Sequence, residues 1–65
     1  MEVTVNGKIR EIKSCDLLSL ISETSLNPST VVIELNGKII KKADWAQTKL
    51  NLNDKIEILN FVGGG

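Results

Sequence analysis

The chain's last three residues are Gly63-Gly64-Gly65. They pack nothing and carry more backbone entropy than any other residue type, so a folded domain gains no stability from them. A tail without side chains can pass a channel too narrow for a Cβ, and it holds the α-carboxylate of Gly65 away from the body of the domain. A carboxylate is a poor electrophile, because its charge repels nucleophiles and its leaving group is oxide. Activation by ATP as an acyl adenylate removes both obstacles, so a substrate role for Gly65 is chemically natural. Spacing alone weighs this reading about evenly against an inert end or a cloning remnant. The other reactive group is the thiol of Cys15. A thiol near a helix start has a route to a lowered pKa, but a lone Cys is more often a small, inert, buried residue.

The rest of the inventory excludes more than it offers. The 65 residues include no His, no Tyr and one Cys, with Trp45 and Phe61 as the aromatics. A His-dependent triad, a zinc site of several Cys or His ligands and an aromatic platform for bases all lack their residues. The composition therefore predicts a protein that others act upon, neither an enzyme nor the holder of a bound cofactor or metal. Eight basic and eight acidic residues give a formal charge of zero, so no positive field gathers nucleic acid or anionic lipid. One Cys closes no intrachain disulfide, no leader precedes the first strand-like residues, and no apolar run approaches the roughly 20 residues of a membrane helix. The expectation is a cytoplasmic protein with no membrane partner.

The elements that must carry the tail are short. Met1 to Val5 alternates, and Asn6-Gly7 supplies the pair that tolerates positive φ at both centres of a type I′ turn. Across that turn Val5 opposes Lys8, Thr4 opposes Ile9, Val3 opposes Arg10 and Met1 opposes Ile12. This places Met1, Val3, Val5 and Ile12 on the buried face, Lys8 and Arg10 along the sheet margin, and Ile9 partly exposed. Leu17, Leu20 and Ile21 then fall on one helical stripe with Asp16 as N-cap, and the helix is expected to end between Ser25 and Pro28. Thr30 to Leu35 alternates as a strand, with Val31, Ile33 and Leu35 on one face. Asn36-Gly37 turns it into a short return strand, Lys38 to Ile40. Residues 41–50 show no sustained period and read as irregular, with a single turn at Ala43 to Ala46 that drops Trp45 onto an edge of the core. Asn53-Asp54 leads into a last strand, Lys55 to Leu59, with Ile56 and Ile58 inward. Leu59 and Phe61 share the other face, so Phe61 and Val62 are even candidates for finishing the core or for an exposed partner contact. The reading is an α+β domain over 1–62, a mixed sheet of four to five strands with one main helix on one face, and a flexible tail at 63–65.

Leu35-Asn36-Gly37-Lys38-Ile39-Ile40, Asp44-Trp45-Ala46-Gln47-Thr48, Leu50, Asp54-Lys55-Ile56-Glu57-Ile58 and Val62-Gly63-Gly64-Gly65 together resemble the ThiS family, the sulfur carrier proteins of thiamin biosynthesis. The opening Val3-Thr4-Val5-Asn6-Gly7 is similar too, so the resemblance spans the chain. It departs in two places: Lys41-Lys42 stands where many members have Pro-Arg, and Asn53 where Gly often precedes the turn Asp. The resemblance implies a ubiquitin-like β-grasp fold and a carrier mechanism. A ThiF-type adenylating enzyme, using ATP and Mg²⁺, would convert the Gly65 carboxylate to an acyl adenylate. A cysteine desulfurase or other persulfide donor would supply sulfur for the Gly65 thiocarboxylate, which donates it to thiazole formation in thiazole synthase, ThiG. Gly63 and Gly64 would thread into the partners' active sites. The alternatives are a carrier like the small subunit of molybdopterin synthase, against which the short chain and the Trp45 segment argue, a ubiquitin-like conjugating modifier, or a plain interaction domain.

Overall fold

The computed structural model describes residues 1–61; Val62, Gly63, Gly64 and Gly65, including all of the expected tail, lie outside the described residues. Five strands, β1 (Glu2–Val5), β2 (Lys8–Glu11), β3 (Val31–Leu35), β4 (Lys38–Ile40) and β5 (Lys55–Asn60), form one sheet in the order β2-β1-β5-β3-β4. The two hairpins, β1–β2 and β3–β4, are local products of their Asn-Gly turns. Asn6 and Gly7 have φ of 50° and 82°, and Asn36 and Gly37 have 52° and 86°, the doubly positive pattern of a type I′ turn. β5 enters between the hairpins, parallel to β1 and antiparallel to β3. The first hairpin has the register that the two-residue loop dictates, Val5 opposite Lys8 and Val3 opposite Arg10.

One helix, α1 (Leu17–Ser22), lies on the inner face, and Asp16 caps it by accepting the Ser19 N–H at 2.8 Å. Its stripe of Leu17, Leu20 and Ile21 meets Val3 and Val5 from β1, Val31 and Ile33 from β3, and Ile56 and Ile58 from β5, all buried in one core. The helix stops earlier than the expected Ser25. Thr24 explains the difference: its Oγ1 donates to Ile21 O at 2.7 Å and accepts the Leu26 N–H at 3.2 Å. A side chain thus takes over groups that another helical turn needs. Leu26 then folds back against the core.

Three further expectations change. Met1 is 36% exposed, not buried. Its ammonium group donates to Ile12 O at 2.9 Å and pairs with the Glu11 carboxylate, and a charged terminus holds its residue at the wet margin of the sheet. Ile9 is fully on the outer face and 73% exposed, since pairing with Thr4 puts it opposite the helix. The stretch read as irregular contains a six-residue 3₁₀ helix, Lys42–Gln47, which buries Trp45 to 1% exposure rather than at an edge. The indole N–H donates to Ile40 O at 3.0 Å, so the largest core side chain leaves no polar atom unpaired. Asn53, where the family often has Gly, has φ of 70°. Asn is the side chain best able to take a left-handed position that glycine otherwise fills.

Candidate functional site

β5 is the last element among the described residues. Its inner residues Ile56 and Ile58 are buried, while Leu59 and Phe61 are 47% and 60% exposed. Alternation puts Leu59 and Phe61 on the outer face, away from the helix. Of the two outcomes open for Phe61, exposure is the one found. Leu59 sits directly opposite Val32 on β3, and Ile39 on β4 lies opposite Glu34 at 63% exposure. Val32, Ile39, Leu59 and Phe61 thus form an apolar strip on the outer face. Within it Glu34 and Glu57 oppose one another across β3 and β5, a pairing of like charges that costs the sheet stability.

The strand is braced by two asparagine side chains, a role that sequence reading assigned only to their turns. Asn6 Oδ1 accepts the Ile58 N–H at 2.7 Å, and its Nδ2 donates to Ile58 O at 3.3 Å. The amide thereby acts as one more peptide in the β1–β5 ladder beyond the point where β1 turns away. Asn36 does the corresponding work on the other side. Its Oδ1 accepts the Lys55 N–H at 2.9 Å, and its Nδ2 donates to Asp54 Oδ1 at 3.0 Å. Asp54 is 9% exposed, and its Oδ2 accepts the Asn51 N–H at 2.8 Å, so the buried carboxylate is hydrogen-bonded through both oxygens. An Asn-Gly pair flanking a strand addition was the available signal, but nothing local says where the amide points.

At its far end β5 is tied to a 3₁₀ turn, Pro28–Thr30, which Asn27 caps by accepting the Ser29 N–H at 2.9 Å. The Phe61 N–H donates to Thr30 O at 2.7 Å. Of the residues singled out by sequence, Phe61 is therefore placed at the end of the sheet and exposed, whereas Val62, Gly63, Gly64 and Gly65 lie outside the described residues. Cys15 is not brought into this region and is exposed rather than buried. Its carbonyl accepts the Leu50 N–H at 2.8 Å, which ties the approach to α1 to the segment after the 3₁₀ helix, and a residue in that connection has its side chain turned outward. The Asp16 carboxylate beside it is held below the ordinary aspartate pKa, chiefly by the Ser19 N–H and further by Lys49 nearby. Among the described residues no cluster of three His, Cys, Asp or Glu could hold a metal ion, and no helix is long and apolar enough to cross a membrane.

A five-stranded mixed sheet with parallel first and last strands, holding one short helix on its inner face, is the ubiquitin-like β-grasp arrangement. The crystal structure of the thiamine biosynthesis protein ThiS from Geobacter metallireducens superposes with a TM-score of 0.85 at 30% identity, covering 100% of both chains. The ThiS family model matches residues 3–65. The chain belongs to the ThiS family, the sulfur carriers of thiamine biosynthesis. The sulfur carrier protein ThiS of Bacillus subtilis is 39% identical over 46 residues, 71% of this chain and 70% of that one. A thiazole synthase of Paramagnetospirillum magneticum is 35% identical over 66 residues, covering 100% of this chain. This chain spans only 20% of that protein's length.

Proposed function

We propose that the protein is a carrier whose Gly65 carboxylate is the reacting group, converted to a thiocarboxylate that supplies sulfur for the thiazole ring of thiamin. In the first step a carboxylate oxygen attacks the α-phosphorus of ATP on a ThiF-type enzyme, which also holds the Mg²⁺, and pyrophosphate leaves. In the second step the outer sulfur of a persulfide, from a cysteine desulfurase or an equivalent donor, attacks the acyl carbon and AMP leaves. A thiol must then cleave the remaining S–S bond, becoming half of a disulfide, to leave the thiocarboxylate. That soft nucleophile is delivered to thiazole synthase, ThiG. The carrier itself contributes no catalytic group, only a fold that presents its end.

The observation that carries this reading is the family match, which runs through residue 65 and so includes the glycines. The relative named thiazole synthase, which contains a segment matching this whole chain, supports thiazole formation as the destination in preference to the molybdopterin synthase alternative. Gly63 and Gly64 pass the partners' channels, and Phe61 and Val62 contact the partner surface, with the exposed Leu59 on the same face as Phe61. Intact-mass spectrometry tests the chemistry after incubation with a ThiF-type enzyme, ATP and a sulfur source. The expected product has one oxygen replaced by sulfur, located on Gly65 by fragmentation. An unchanged mass, while a known carrier is converted in parallel, rejects the proposal. A variant extended by one residue beyond Gly65 is expected to lose the modification with its Tm unchanged.

A further inference from the structure

We infer that Thr30 and Asn60 form a latch that sets where the C-terminal segment leaves the sheet, and so positions the Gly65 carboxylate after the protein has docked on its activating partner. The inference rests on the carrier reading above. Thr30 Oγ1 lies 2.9 Å from Asn60 Oδ1 and 3.0 Å from Asn27 O. The hydroxyl has one proton and two neighbouring acceptors, so it cannot donate to both. Turning over the Asn60 amide exchanges its O and N and satisfies the whole chain: Nδ2 donates to Thr30 Oγ1, and Oγ1 donates to Asn27 O. The backbone closes the same link, through the Phe61 N–H to Thr30 O at 2.7 Å. On the other side the anchor is already stiff, because Pro28 starts the turn and the Asn27 side chain caps it.

Nothing in the core calls for this bond. Asn60 is the last residue of β5 and exposed, Asn is disfavoured in strands, and its partner across the sheet is the buried Val31. An apolar residue there would extend the core, whereas an amide secures the strand end to the turn. The consequence is one of reach. Four residues follow Phe61, and four residues span at most about 14 Å. Losing the side-chain bond favours fraying of this strand end against the remaining Phe61 N–H to Thr30 O bond and Asn60–Val31 pairing. Complete fraying of Asn60 and Phe61 gives six residues and about 20 Å, a volume at most about threefold larger. A docked complex with a fully frayed end has the carboxylate in place about one-third as often, which lowers turnover without changing docking.

The test is steady-state adenylation by a ThiF-type enzyme with ATP, followed by pyrophosphate release. The proteins compared are the full-length wild type, Thr30→Val, Asn60→Ala, the double variant and Thr30→Ser. The expected result is a lower kcat for each single variant, by up to about threefold, with KM unchanged, no further loss in the double variant, and recovery in Thr30→Ser. Because the two single variants cut the same bond from opposite ends, a folding defect in one leaves the other to decide. Wild-type kcat in a folded Thr30→Val or Asn60→Ala protein overturns the latch while the carrier reading stands. A raised KM with normal kcat also overturns it, since it places the residue in the docking face. A wild-type protein that is not adenylated, beside a control carrier that is, overturns the carrier reading and the positioning role with it.

Discussion

Replacing Asn6 by Gly separates the work of a side chain from the work of a turn. Glycine accepts the φ of 50° at this position, so the type I′ turn survives and only the amide is lost. The Ile58 N–H then loses the oxygen that accepts it at 2.7 Å, in a residue only 9% exposed. A buried donor left without its partner costs about 1–3 kcal/mol, and the weaker bond from Nδ2 adds little. Glycine's extra freedom in the unfolded chain adds a few tenths, for an expected loss of about 2 kcal/mol. With an unfolding entropy of about 2.1 cal/mol/K per residue, each kcal/mol moves the Tm of a 65-residue chain by about 7 °C, so Tm should fall by about 14 °C. Asn6→Ala keeps the same loss and adds about 1–2 kcal/mol for a left-handed alanine. That total nears the whole stability of a domain this small, about 3–5 kcal/mol. Thermal unfolding followed by far-UV circular dichroism reads both variants, and hydrogen exchange at the Ile58 amide locates the effect. If Asn6→Gly lowers Tm by less than about 4 °C, the idea that the amide serves as a rung of the sheet is wrong.

Two further outcomes follow from single groups. Ser14 is 6% exposed, and its Oγ has no hydrogen-bond partner among the described residues, so Ser14→Ala should raise stability by about 1 kcal/mol. A lower Tm in that variant would show that the hydroxyl is satisfied, for example by a buried water. The folded-state pKa of Asp16 is depressed, so its ionised cap stabilises the fold above the unfolded-state pKa, and that contribution is lost as pH falls through the lower folded value. Asp16→Asn keeps a good N-cap without the titration. Denaturant unfolding at pH 7 and at about pH 3 should therefore show a smaller acid loss in the variant, and equal losses would remove Asp16 from the account.

The strands and turns were legible because their signals are local. Two Asn-Gly pairs fixed two hairpins, alternation placed Ile56 and Ile58 inward, and the stripe of Leu17, Leu20 and Ile21 located the helix. The misreadings came where a side chain or the chain's own charge outweighed periodicity. Thr24 ended the helix, the ammonium group of Met1 kept that residue out of the core, and Trp45 drew an apparently irregular stretch into a 3₁₀ helix by its bulk. The braces from Asn6 and Asn36 were invisible for another reason: each joins a turn to a strand far along the chain, and no pattern within a window of residues encodes such a pair. The glycines at 63–65 carry no periodic pattern, and the role proposed for them rests on the family match, which runs through residue 65.

The insertion of β5 between the hairpins bears on the order of assembly. Val5 and Ile56 pair although they stand near opposite ends of the sequence, and contacts of such separation are the slow ones to form. During synthesis the two hairpins can exist first, with the facing edges of β1 and β3 unpaired and open to other strands. Only β5, which follows both hairpins in the sequence, closes that gap. A chain cut short or stalled before Lys55 thus lacks the central strand, and its two hairpins share no sheet. Until β5 arrives, the inner edges of both hairpins stay open, so joining them into one sheet is a single late step.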